Sequence, residues 1–235
     1  MIGAAATQRA PGARASVWCA WVTPVIVFVA AVALRHGVPG HGLHAHWLAV
    51  AVICVAVGHL SWPARCPGGL LAWPLLMAGT ALAVMPAAIG ASQADLAVVA
   101  ALALGVALLG GVLDGFAALL VALRVSPGAA CASGLALFAV AAAAPLWLGP
   151  WAELSGGADL VIAVSPLSYL AALAQYDYLR GQWFYVHSPL GSLRFDYPDP
   201  AAGSAACVVL AAACRVLARC VGARTASAAR DARDA

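Results

Sequence analysis

The stretch A-D-L-V-I-A-V-S-P-L-S-Y-L-A-A-L-A-Q-Y-D-Y, residues 158–178, is apolar enough to pass for a membrane-crossing helix, and whether it crosses decides the fold. Ser165-Pro166 interrupts it. A Ser hydroxyl caps an unsatisfied backbone N–H at a helix start, and Pro fits the first helical position because its missing N–H has no partner there anyway. A helix therefore begins at Pro166. Leu167, Leu170, Ala171, Ala174 and Tyr178 line one side of it at helical spacing, and Gly181 is the expected stop. About 15 residues at 1.5 Å each fall short of a hydrocarbon core ~30 Å thick.

Outward from this stretch the chain is bland. Of 235 residues 64% are hydrophobic and 9% charged, with mean hydropathy +0.95. Soluble domains carry about 25% charged residues, so a chain this apolar has too little polar surface to face water and takes the bilayer as its solvent. Apolar runs predict spans at about 16–34, 45–61, 70–89, 96–123, 131–148 and 201–219. The stretch from Ala223 to Ala235 is expected to be a frayed or disordered cytoplasmic tail.

The charges fix the parity. Arg9 and Arg14 precede the first run, Arg65 lies between the second and third, and Arg124 between the fourth and fifth. Arg215, Arg219, Arg224, Arg230 and Arg233 follow or close the last. Asp95, Glu153, Asp159, Asp177, Asp196 and Asp199 fall on the other side, with only Arg35, Arg180 and Arg194 among the basic residues. Arginine concentrates on the cytoplasmic face, so both ends are expected there, as in a bacterial-type inner membrane. Six crossings satisfy this and seven do not. The expectation is an all-α, polytopic membrane bundle of six spans, with residues 158–200 a re-entrant or interfacial external element between spans five and six.

All five tyrosines lie in that external element, from Tyr169 to Tyr197. Tyr176, Tyr178, Trp183, Phe184, Tyr185, Phe195 and Tyr197 suit the headgroup layer, which satisfies both ring and polar tip. The belt reads as an anchor, or as a gate or partner face built from Ser165, Pro166, Tyr169, Tyr176, Tyr178, Arg180, Trp183 and Tyr185.

Two ionisable residues fall within spans. Asp114, in G-G-V-L-D-G-F, costs at least roughly 2.5–3.5 kcal/mol at membrane depth, so it reads either as part of a substrate or proton pathway or as a structural, hydrogen-bonded Asp near the cytoplasmic end of its span, about ten residues before Arg124. His59, near the cytoplasmic end of the second span, reads as a packed or cross-bonded histidine. His41, His44 and His46 cluster with His36 in a Gly- and Pro-rich loop. Imidazoles suit zinc, copper or haem iron, but no Cys or carboxylate accompanies them at a ligand spacing, and a polar loop is the simpler reading. The seven cysteines are scattered and form no C-x-x-C pair; most sit in apolar runs as small hydrophobes.

No catalytic or nucleotide-binding signature is present, which argues against an enzyme and calls for no cofactor. A net charge of +3 is too small to argue for nucleic acid.

S-P-L-S-Y-L, Ser165 to Leu170, is similar to the N-P-L-T-Y-L-like stretch that follows the fifth helix in permease subunits of ATP-binding-cassette exporters of the second exporter type. That resemblance implies a homodimeric or heterodimeric channel, an external gate of short helices around Pro166–Arg180, and a separate cytoplasmic ATPase. The chain departs from the family pattern in its poorly amphipathic Met1–Ala15 and its short loop Ser61–Gly68. A non-catalytic subunit of a redox or photosynthetic membrane complex, docking through the tyrosine-rich face, is the alternative.

Overall fold

A computed structural model of the chain describes residues 43–60, 93–147, 157–180 and 197–234. Among them every regular element is a helix: α1 (Leu43–Leu60), α2 (Gln93–Ala122), α3 (Pro127–Trp147), α4 (Gly157–Val164), α5 (Pro166–Leu173) and α6 (Pro200–Asp234). Three are long and apolar enough to cross a membrane, over Leu96–Ala122, Pro127–Pro145 and Pro200–Thr225. The apolar part of α1, His44–His59, is shorter. The expected spans at 16–34 and 70–89 lie outside the described residues.

Three helices start alike. Ser126 Oγ accepts from the Ala129 N–H at 3.3 Å, Ser165 Oγ from the Ser168 N–H at 3.5 Å, and Asp199 Oδ2 from the Ala202 N–H at 3.0 Å. In each case Pro follows the cap. The side chain satisfies an orphan donor and the Pro brings none of its own.

Two helices also end alike, and without glycine. Arg124 has φ 72 and Gln175 has φ 51. After α2, Val125 N–H bonds to the Leu120 carbonyl and Arg124 N–H to that of Val121, both at 3.0 Å. After α5, Tyr176 N–H bonds to the Ala171 carbonyl at 3.0 Å and Gln175 N–H to that of Ala172 at 3.2 Å. This pair of bonds, six-to-one and five-to-two, is the Schellman closure. The second helix of the pair therefore ends at Leu173 after eight residues, not near Gly181 after about 15. The residue in the left-handed conformation is Gln175.

Contacts along the bundle give the helix directions. Gly111 and Gly115 lie against Ala211, and Gly115 also against Cys214. Further along, Ala118 and Ala122 share a shallow groove with Arg215 and Arg219. Both numberings rise together, so α2 and α6 are parallel. With no side chain at Gly115, the Ala211 carbonyl comes within 3.1 Å of where a Cβ would stand; such small-residue seams let membrane helices approach closely. The short connection from Leu123 to Ser126 turns α3 back against α2. α1 runs with α2: His44, at its start, bonds the end of α5, and His59, at its end, meets Asp114.

The core sits where α1, α2 and α5 meet, with Trp47, Val50, Leu102, Val106, Tyr169 and Leu170 all buried. α6 adds little to it. One side covers α2, while Val208, Val209, Leu210, Val216 and Leu217 stand exposed. α6 also continues past residue 219 to Asp234, so the stretch from Ala223 expected to fray is helical through Asp234.

Candidate functional site

Among the described residues two polar clusters interrupt the apolar bundle. The first ties α5 to the start of α6. Tyr169 and Ser204 share a hydroxyl–hydroxyl bond of 2.8 Å, and Ser204 donates to the Pro200 carbonyl at 2.7 Å. Ser168, fully buried, and Tyr178 share another of 2.8 Å. Tyr197 donates to Asp177 Oδ1 at 2.8 Å and accepts from the Leu179 N–H at 3.1 Å. Asp177 also accepts the Arg180 N–H and pairs with its guanidinium at 3.0 Å; that pair is exposed and contributes little. The Tyr178 and Tyr197 rings meet edge to face, centroids 6.0 Å apart. Burial pushes the Tyr178 hydroxyl above its usual pKa, partly offset by its Ser168 and Ser165 bonds. Burial likewise pushes Tyr197 up, and the Asp177 carboxylate adds to the shift by disfavouring a second negative charge.

His44 belongs to this cluster. Its Nδ1 lies 2.6 Å from the Ala174 carbonyl at the end of α5, and its ring leans on Trp47 at 5.0 Å. A carbonyl only accepts, so Nδ1 carries the hydrogen and caps α5. The loop-histidine reading is thereby narrowed: His41 lies outside the described residues, and His44 commits one nitrogen to the backbone. Among the described residues no three His, Cys, Asp or Glu come together as a metal site.

Of the gate or partner-face residues, Ser165, Pro166, Tyr169, Tyr176, Tyr178 and Arg180 gather around α5 and its exit. Trp183 and Tyr185 lie outside the described residues. Asp177 and Asp199 flank an open groove of about 330 Å³ between Ala171 and Pro200, with Tyr176 and Tyr197 on its walls.

The depth of α5 matters. Gly105 of α2 abuts Leu173, Leu170 and Tyr169. Gly105 is about 14 Å along α2 from Leu96, where the apolar span begins, near the middle of a core ~30 Å thick.

The second cluster joins α1, α2 and α3 toward the other end. His59 is fully buried, with Nδ1 3.7 Å from Asp114 Oδ1 and Nε2 3.1 Å from the Cys131 carbonyl. In return the Cys131 thiol donates to the His59 carbonyl at 3.1 Å. That carbonyl lies in the last described turn of α1. The imidazole also lies over Gly134, and a Cβ there would collide with Nε2. The sequence marks His59 and Asp114 one at a time. Their meeting, and the parts of Cys131 and Gly134, follow only from how the three helices pack; a glycine inside A-S-G-L-A was the one available hint.

No family model, curated protein or solved structure was found to match this chain.

Proposed function

We propose that this chain is the membrane permease subunit of an ATP-driven export system, with α4 and α5 as its external gate. The carrying observation is the path between α3 and α6. α3 runs against α2 and α6 runs with it, so the intervening chain returns to the side it left. Yet α5 reaches the depth of Gly105 on the way. An element that enters to mid-depth and turns back between the last two spans is what the family resemblance implies for a gate. The parallel pair α1 and α2 also fits a return crossing between them, as the six-span scheme requires. With no nucleotide-binding motif in the sequence, the ATPase would be a separate cytoplasmic subunit. The exposed apolar side of α6 suits lipid or a second copy. By arginine placement the membrane would be a bacterial-type inner one, with both ends cytoplasmic.

One observation favours the second reading, a non-catalytic subunit of a larger membrane complex. The hydroxyl bonds of Tyr169, Tyr178 and Tyr197 lock α5 to its surroundings, as suits a rigid docking face.

Purification in mild detergent separates the two. An ATPase subunit with substrate-stimulated turnover supports the export reading; stable association with redox subunits and no ATPase defeats it. The gate's side is tested by Arg180→Cys. Arg180 is 79% exposed, so the new thiol should react with an impermeant reagent in intact cells. Labelling only after lysis contradicts an external gate.

A further inference from the structure

Two arginines of α6 stand where the membrane core ends. Arg215 lies about 22 Å and Arg219 about 28 Å along the helix from Pro200, against a core ~30 Å thick. Both are exposed, and one turn apart they share a flank of the helix. Among the described residues the ion pairs join His59 to Asp114 and Arg180 to Asp177, so neither Arg215 nor Arg219 has a carboxylate partner there. Two such positive charges at that depth are costly unless an anion from outside the chain meets them.

The surface beside them is shaped for an amphiphile. Arg215 and Arg219 border an open groove of about 360 Å³ between α2 and α6, and its other walls are Ala118, Val121, Ala122 and Ala218. No acid lines it. Ala122 closes the apolar run of α2, so the groove starts within the hydrocarbon and opens at its edge. Arg124, two residues on, adds a further positive charge at the end of the same helix.

We propose that Arg215 and Arg219 hold the phosphate of an anionic phospholipid whose acyl chain lies along the groove between α2 and α6. A guanidinium donates two parallel hydrogen bonds to phosphate oxygens, and two of them one turn apart can converge on one phosphate. A zwitterionic lipid brings its own ammonium, which the arginine pair repels, so a net-negative headgroup is the one selected. The alanines keep the channel open where longer side chains would fill it. The site needs only that α2 and α6 are membrane helices, and it does not depend on the export reading.

Native mass spectrometry of the full-length protein reads the site. The protein is released from mild detergent holding equal amounts of phosphatidylglycerol and phosphatidylcholine with the same acyl chains, and the bound lipid is counted. Phosphatidylglycerol should be retained in preference, by about fivefold for each arginine. Arg215→Gln combined with Arg219→Gln should bring the ratio close to one. Arg180→Gln, at the other end of the bundle, should leave it unchanged. Ala122→Leu keeps every charge and narrows the groove, so it should weaken retention; it also tests the site if the double variant does not fold. Inorganic phosphate should not displace the lipid. Equal retention of the two lipids, an equal loss in Arg180→Gln, full retention in Ala122→Leu, or displacement by inorganic phosphate overturns the proposal.

Discussion

At the scale of single residues, the two polar clusters depend on contacts that tolerate little change. Gly134→Ala would drive a methyl group into the His59 imidazole, which is boxed in by the Cys131 carbonyl. Overpacking of this kind costs roughly 1–3 kcal/mol. The variant should lose thermal stability by that order, and the NMR signals of the His59 ring should move. An unchanged melting point and unchanged signals would mean that the ring does not sit over Gly134. The tyrosines respond to pH. Tyr178 and Tyr197 have raised folded-state pKa values, so the folded state keeps their protons longer than the unfolded chain does. Their contribution is whole below the ordinary value of 10.0 and falls as pH rises above it. Tyrosinate absorbance should therefore lag for these two during an alkaline titration and rise together with unfolding. Early, independent ionisation of all five tyrosines would contradict their burial.

At the scale of elements, starts were legible and stops were not. Ser165-Pro166 announces its helix because cap and proline act locally and need no tertiary partner. The end of α5 has no such signal. Gln175 adopts a conformation that glycine would signal, and it is held there by bonds back to Ala171 and Ala172 and by the His44 imidazole on Ala174. His44 is 130 positions away, which no local reading reaches. Burial of Ser168 escaped for a similar reason, since its partner Tyr178 follows the chain reversal. The left-handed conformation costs an ordinary residue about 1–2 kcal/mol, which glycine avoids at some loss of chain entropy. Gln175→Gly should thus hold or raise stability by up to about 1 kcal/mol, whereas a β-branched Gln175→Val should lower it clearly. Equal melting points for the two variants would show that the closure after α5 has another backbone geometry.

At the scale of the whole molecule, the arginine count and the helix directions bear on the same parity by separate routes. Charge placement assigns faces to loops, while the parallel pairing of α2 with α6 concerns only packing. The packing was beyond the sequence, because Gly111 and Gly115 announce close contact without naming the partner. Cys220 offers a native probe of the outcome. It is exposed on α6, about 30 Å along the helix from Pro200 and so near the far edge of a hydrocarbon core of similar thickness. If residues 157–180 face outward and α6 crosses once, Cys220 emerges on the cytoplasmic side among Arg215, Arg219 and Arg224. An impermeant thiol reagent should then leave it unmodified in intact cells and reach it once the membrane is opened, with Cys220→Ser removing the increment. Because Arg180→Cys should behave in the opposite way, one preparation tests both faces. Labelling of both Cys220 and Arg180→Cys from outside would mean that the stretch between Gly157 and Pro200 crosses the bilayer after all, whereas labelling of Cys220 alone from outside would mean that the whole bundle is inverted, and in both cases the arginines of α6 would lie on the external face.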